Sequence, residues 1–393
     1  MKKGIKLFPH QQRFADENPD QKLLVWETGT GKSIAGLLWL EKRLHLNPLV
    51  VCPKKLIGKW KDDLDDWGLN VAITTTDGVK KIDLSPHKAV LVDEAHEFAS
   101  PLFTGKRSQR AKALYEHIKA NRKMPVLLLT ATPIRSSPWN IHTLACYLGI
   151  YWKISDYREE FFYFTDLFGR LHWEEKKGWQ KAVRSYVEEI GDVALMSDVV
   201  PEGVPTQHHT VINIPWTKQQ EKDLQEDLAE QDDVQEWHVR HRHENGDVKL
   251  EKLKEIIDGY RKVIVVCQYT KQIEHYAKEI GKSRLVFTLQ GSTKDQPGTI
   301  KSAREADDCI FIVQASMGAG FDASEFSVVV FASMSFRYVD KVQMLGRVKR
   351  INNLHENFFI YLLNGKCDKA VYDTIESNRD FDVVDYLNTY GKN

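Results

Sequence analysis

With 393 residues, 42% of them hydrophobic and 28% charged, the chain has the composition of a folded protein, long for one core and comfortable for two domains. Lys plus Arg equals Asp plus Glu at 55 each, so any grip on nucleic acid must come from a local groove and not from net charge. Five isolated cysteines without a CxxC pair speak against a disulfide frame or a zinc site, and no apolar run reaches membrane-spanning length. The N-terminal Met1 to Lys6 lacks the apolar core of a signal peptide, so the expectation is a soluble cytoplasmic protein with no membrane partner.

The first element with chemistry in it is Leu23 to Trp26, an apolar strand that runs into Glu27-Thr28-Gly29-Thr30-Gly31-Lys32-Ser33 and then a helical segment, Ile34 to Leu44. Glycines between a strand and a helix are common turn punctuation, but the ordered run Gly-Thr-Gly-Lys-Ser in this setting points to phosphate. Gly29 and Gly31 let backbone N–H groups close around phosphate oxygens at the positive end of the helix. Lys32 is expected to reach the β- and γ-phosphates and the Ser33 hydroxyl to ligate Mg²⁺. Trp26 stands where the general pattern has a small residue.

Further strands are expected at Leu49 to Cys52, Val71 to Thr74, Ala89 to Val92 and Val126 to Leu129, short aliphatic runs of the kind buried on both faces of a parallel sheet. Between them lie helices over Lys54 to Trp67, with Leu56, Trp60, Leu64 and Trp67 at helical spacing, and over Arg107 to Lys119. Val92-Asp93-Glu94 places two carboxylates at a buried strand end: Asp93 to hold Mg²⁺, Glu94 to orient and deprotonate the attacking water. Thr130 and Thr132 close the next strand with two hydroxyls suited to relaying the state of the phosphate.

From Ile141 to about Val200 aromatic-rich helices are expected, their aromatics read as core in preference to a base-stacking platform. Pro201 to Pro205 breaks the chain; a strand at Thr210 to Ile214 and an acidic helical stretch, Lys218 to Trp237, follow. His238, His241 and His243 sit among arginines that repel a cation, which favours a solvated turn over a metal site. Alternation resumes with strands at Val263 to Cys267, Arg284 to Thr288, Cys309 to Val313, Val328 to Phe331 and Phe358 to Leu362, a second α/β lobe without a second phosphate motif.

Taken together these residues resemble the superfamily 2 helicases and translocases. Trp26 to Ser33 is similar to motif I, whose first position varies in that family; Val92 to His96 to motif II; Leu129 to Pro133 to motif III. Ala315 to Asp322 resembles motif V, and Gln343 to Arg350 matches the Q-x-x-G-R-x-x-R of motif VI. Phe8-Pro9-His10-Gln11 resembles the adenine-recognising opening motif of the Swi/Snf-like branch, Val50 to Trp60 its motif Ia, and Val263 to Gln272 its motif IV. Bare motors of this length are typical of bacteriophage and bacterial members, and a phage-encoded one would work in the host cytoplasm.

The resemblance implies two RecA-like lobes, parallel sheets flanked by helices, with a helical aromatic-rich insertion between them. The expected division is a first ATP-binding lobe over 1–140, the insertion over 141–204, a linker and acidic helix over 205–250 and a helicase C-terminal lobe over 251–393. ATP and Mg²⁺ are the implied cofactors. Gln11, Thr28, Gly29, Thr30, Gly31, Lys32, Ser33, Gly320 and Asp322 are the nucleotide-binding candidates, and Arg347 and Arg350 act as arginine fingers with Gln343 near the γ-phosphate. The implied substrate is DNA, duplex or branched, gripped along its backbone with little sequence preference, and replication, repair or recombination proteins are candidate partners. Lys54, Lys55, Arg107 and Arg110 are candidates for DNA phosphates and equally read as solvated helix charges. An RNA helicase, or a DNA-binding or recruiting module without turnover, are the alternatives.

Overall fold

A computed structural model describes residues 6–102, 108–121, 123–134, 137–167, 170–176, 178–199, 205–215, 217–219, 222–223, 226, 247–318, 321–349 and 353–376. The chain divides into two compact units, Met1–Pro201 and Glu202–Asn393.

The first unit is built on a six-stranded sheet. Its strands are β1 (Gln21–Trp26), β2 (Leu49–Cys52), β3 (Ala72–Thr75), β4 (Val90–Asp93), β5 (Val126–Thr130) and, 61 residues after β5 closes, a strand at Gly191–Ala194. An antiparallel pair, β6 (Phe162–Leu167) and β7 (Arg170–Glu175), lies between them in sequence, so Gly191–Ala194 is β8. The order across the sheet is β3-β2-β4-β5-β1-β8 and every pairing is parallel. Both faces are covered, as period-2 side chains require. Leu23, Val25, Val90, Val92, Val126 and Leu128 belong to one apolar cluster, while Leu24, Trp26, Leu91, Leu127 and Leu129 belong to another. Trp26 therefore ends β1 as core, fully buried, its ring edge-on to His10 at 4.5 Å and to Phe14 at 5.9 Å.

Two expectations for this unit need correction. Phe162–Leu167 and Arg170–Glu175, expected to be helical, form the antiparallel pair β6–β7, because β-branched and aromatic residues pair across strands as readily as they line a helix. The stretch Gly191–Ala194, expected within the insertion, instead extends the first sheet, Leu23 pairing with Gly191 and Trp26 with Ala194. Of the aromatics, Trp139, Tyr157, Phe161, Phe162 and Trp179 are buried together, but Tyr151, Tyr163 and Phe164 are exposed.

The second unit carries its own six-stranded sheet of β9 (Thr206–Asn213), β10 (Lys262–Cys267), β11 (Val286–Leu289), β12 (Cys309–Gln314), β13 (Val328–Phe331) and β14 (Asn357–Asn364). The order is β11-β12-β10-β13-β14-β9, again all parallel. Ile264, Val266, Phe311 and Val313 face one cluster; Val263, Val265, Ile310 and Ile312 face the other. The span 205–250 thus contributes more than a linker, since β9 runs along β14 over eight residue pairs from Thr206–Asn357 to Asn213–Asn364. Most of the acidic stretch and the histidines at 238, 241 and 243 lie outside the described residues.

A buried ion pair ties this unit together: Lys249, on the helix Asp247–Ile257, donates to Asp368 on the helix Lys366–Glu376 and to the Ala332 carbonyl at 3.0 Å. Cys52, Cys146, Cys267 and Cys309 are buried free thiols; burial pushes Cys52 and Cys146 up to about 12. Among the described residues no helix is long and apolar enough to cross a membrane.

Candidate nucleotide site

Strand β1 ends at Trp26, and the chain turns through Glu27–Gly31 into the helix Lys32–Glu41. Gly29 and Gly31 take φ of 88° and 87°, the left-handed region that side chains resist. A Cβ on Gly31 would also lie 2.0 Å from Gln11 Nε2. Gln11 is buried against the loop because its amide bridges two backbones: Nε2 donates to the Thr30 carbonyl at 3.1 Å and Oε1 accepts from the Phe8 N–H at 3.0 Å. His10 Nε2 lies 2.9 Å from the same Thr30 carbonyl. The opening motif and the phosphate loop are therefore one structure.

Lys32 donates from Nζ to the carbonyls of Trp26 at 2.6 Å and Glu27 at 3.2 Å, and Thr30 Oγ1 donates to the Glu27 carbonyl at 2.7 Å. Thr28 and Thr30 are buried. Ser33 Oγ accepts from Lys59 Nζ at 2.8 Å, a lysine that also reaches Asp63 at 2.7 Å.

Two strands away in the same sheet, β4 delivers Asp93 and Glu94. The order β4-β5-β1 is what brings them to the phosphate loop, since in a parallel sheet all three strands end at one edge. Asp93 Oδ2 accepts from the Trp60 indole at 2.9 Å, and Asp93 Oδ1 accepts from the Glu94 N–H at 2.9 Å. Glu94 is held left-handed at φ 51°, ψ 51°, an unusual conformation for a residue with a Cβ. Burial and the neighbouring Glu94 carboxylate raise the Asp93 carboxyl above its ordinary range, while the Trp60 N–H, Lys59 and Lys32 act in the opposite direction. A divalent cation would reverse that balance.

His96 Nδ1 sits 3.3 Å from Glu94 Oε2, 3.1 Å from Thr130 Oγ1 and 3.5 Å from Thr132 Oγ1, and the Thr132 N–H donates to Thr130 Oγ1 at 3.0 Å. The carboxylate, the imidazole and both threonines of the candidate relay are thus one buried network.

The fit to a magnesium nucleotide follows from these donors. A loop with two left-handed glycines and a helix starting at Lys32 offers backbone N–H groups to phosphate, and Ser33 Oγ with the Asp93 carboxylate offers the hard oxygens that Mg²⁺ takes alongside phosphate. Among the described residues no group of three His, Cys, Asp or Glu could hold a metal ion by itself. A metal that shares its ligands with a nucleotide needs no such group.

In the second unit, the helix Tyr338–Val348 carries Gln343, buried, and Arg347. Arg347 Nε donates to the Gly318 carbonyl at 2.8 Å and its Nη1 to the Phe321 carbonyl at 3.3 Å, while the Ala323 N–H donates to the Arg347 carbonyl at 3.2 Å. The helix is in this way stitched to the loop that carries Asp322, whose Oδ1 accepts from the Ser324 N–H at 3.1 Å. Gly320, Arg350 and Arg107 lie outside the described residues. Lys54 and Lys55 are exposed on the turn Lys54–Leu56. Arg110 is half-buried and donates to Asp77 at 3.2 Å and to the Glu97 carbonyl at 3.1 Å.

Sequence reasoning passes over four side chains at this site: His10, Lys59, Trp60 and His96. Trp60 reads as an apolar residue on a helix face, and no spacing reveals that its indole N–H points at Asp93. His96 lies two residues after Glu94 in the chain, but its contacts with Thr130 and Thr132 come from the end of β5 and the residues just past it, 34 and 36 residues on.

Residues 248–352 match the family described as the helicase conserved C-terminal domain. A curated relative, the SWI/SNF-related matrix-associated actin-dependent regulator of chromatin subfamily A-like protein 1 homolog of Caenorhabditis elegans, is 23% identical over 95% of this chain. The match spans 61% of that relative's length. Among solved structures, the helicase domain of Hef from Pyrococcus furiosus superimposes with a TM-score of 0.54 at 15% identity, covering 93% of this chain and 97% of that one. The Sulfolobus solfataricus SWI2/SNF2 ATPase core in complex with dsDNA gives 0.41 at 14% identity, over 95% and 91%. The chain is thus similar to helicases by sequence over the heart of its second unit, and by its pair of RecA-like lobes over nearly its whole length.

Proposed function

We propose that the protein is an ATP-dependent DNA translocase or helicase of the Swi/Snf-like type, a compact motor of the bacterial or phage kind. The observation that carries the reading is that the loop after β1 and the Asp93-Glu94 pair closing β4 share one edge of the sheet, with Lys59 bonded to Ser33 and its neighbour Trp60 bonded to Asp93. The helicase match over residues 248–352 supports it.

On this reading ATP supplies the free energy, and Mg²⁺, when bound, would neutralise phosphate charge. Lys32 exchanges the carbonyls of Trp26 and Glu27 for phosphate oxygens, and Ser33 and Asp93 would hold the metal. Glu94 takes the proton of the attacking water, oriented by His96 at 3.3 Å, and the Thr130 and Thr132 hydroxyls register the change through the same imidazole. Gln11 recognises the base. Arg347, on the same helix as Gln343, and Arg350 are the candidate arginine fingers. Lys54 and Lys55 contact DNA phosphates.

The test is ATP turnover without nucleic acid and with duplex DNA, single-stranded DNA or RNA. The reading expects stimulation by DNA, loss of turnover in Lys32→Ala and Glu94→Gln, and ATP binding without hydrolysis in Arg350→Ala. Stimulation by RNA alone would make it an RNA helicase, and absence of turnover on every nucleic acid would leave a binding module.

A further inference from the structure

Glu27, in the phosphate loop, has no place in the reaction so far. Its carbonyl is a shared acceptor, taking the Lys32 ammonium at 3.2 Å, the Thr30 hydroxyl at 2.7 Å and the Thr30 N–H at 3.3 Å. Its own N–H donates to the Ala194 carbonyl at 2.8 Å, which continues the β1–β8 ladder one residue beyond the strand. Its carboxylate Oε2 accepts the Met196 N–H at 2.7 Å, 169 residues away in sequence. Ala194 ends β8, and Met196 opens the short helix Met196–Val199, the last described element of the first unit, whose boundary falls at Pro201.

We propose that Glu27 is a positioning residue that clamps the phosphate loop to the exit of the first unit, so that nucleotide on the loop is felt at residues 194–199. The inference rests on the nucleotide reading above and deepens it. The same residue touches the groups that must move when phosphate arrives, through its carbonyl, and the chain leaving the unit, through its amide and carboxylate. When Lys32 turns to phosphate, the Glu27 carbonyl loses an ammonium donor while its other two anchors hold; the loop then settles against β8 and the Met196 N–H is held more firmly. A plain surface glutamate would need none of this geometry, and the carboxylate bond to Met196 is not something a strand-to-helix loop requires for its own shape.

The experiment is amide hydrogen exchange on the full-length protein, with and without magnesium and a non-hydrolysable ATP analogue, in wild type, Glu27→Ala and Glu27→Gln. In wild type the analogue should slow exchange both over residues 28–36 and at the amides of 194–199, the latter by roughly tenfold as local opening there becomes rarer. Glu27→Ala should keep the response over 28–36 and lose it at 194–199. Glu27→Gln, which retains an acceptor oxygen for the Met196 N–H, should restore it. No response over 28–36 in wild type refutes the nucleotide reading itself. A response over 28–36 with none at 194–199 in wild type, or one at 194–199 that survives in Glu27→Ala, overturns the clamp and leaves nucleotide binding intact.

Discussion

Gly31→Ala tests how the opening motif and the phosphate loop share one conformation. Two costs arise. The left-handed φ of 87° is unfavourable for any residue with a Cβ by about 1–2 kcal/mol. The new methyl would lie 2.0 Å from Gln11 Nε2, so that amide must swing away. Gln11 then loses its bonds to the Thr30 carbonyl and the Phe8 N–H, about 1 kcal/mol each. Together these make the binding-competent loop about 3–4 kcal/mol harder to reach, which weakens a fluorescent ATP analogue roughly 100- to 700-fold in a titration. In a Gln11→Ala background only the backbone cost remains, and the same Gly31→Ala change should weaken binding roughly 5- to 30-fold. The coupling between the two sites is therefore about 2 kcal/mol, readable in a double-mutant cycle. Equal losses in the two backgrounds would refute the contact.

Trp60→Phe keeps an aromatic ring in the core but removes the N–H that donates to Asp93 Oδ2, a bond to a charged group worth about 1.5–3 kcal/mol. The magnesium concentration for half-maximal turnover should rise roughly tenfold or more, and an unchanged magnesium titration would count against Asp93 as the metal residue. Lys249→Met leaves Asp368 buried without its ammonium and should destabilise the second unit by about 3–5 kcal/mol in urea unfolding, with much of the loss recovered in the Lys249→Met, Asp368→Leu double variant. Burial lowers the pKa of His10, His117 and His142 below 6.5. Their stabilisation is therefore fully present above pH 6.5 and is lost as pH falls below it, by up to about 1.4 kcal/mol per pH unit for each histidine. The urea midpoint of the first unit should drop between pH 6.5 and 5.5, and a midpoint constant over that range would contradict their buried, neutral state.

Much of the fold is legible along the chain. β2 and β13 run where the aliphatic runs Leu49 to Cys52 and Val328 to Phe331 place them, and β1, β4, β5, β10 and β12 are within two residues of expectation. Strands buried on both faces write themselves as unbroken apolar runs, and a phosphate loop demands glycine where φ is positive, so both leave a direct mark on the chain. Trp26, awkward as a motif residue, is explained by the same rule: it lies on the β1 face shared with Leu24, Leu127 and Leu129.

The parts that escape are those decided by partners distant in sequence. β8 is four residues, of which Ala194 alone is buried, and only the open edge of β1 makes Gly191–Ala194 a strand. β9 is exposed along most of its length, so its composition carries little signal; it exists because β14 offers it eight partners. The antiparallel pair β6–β7 is another such case, since aromatic residues satisfy a helix face or a strand pair equally well until packing chooses. At the candidate site, Lys32, Ser33, Asp93 and Glu94 can be picked out by residue type, whereas the bonds of Trp60 to Asp93, His96 to Thr130 and Glu27 to Met196 cannot. Chemistry that depends on what a side chain is can be read along the chain; chemistry that depends on what it touches waits for strands β1, β4, β5 and β8 to line up in one sheet.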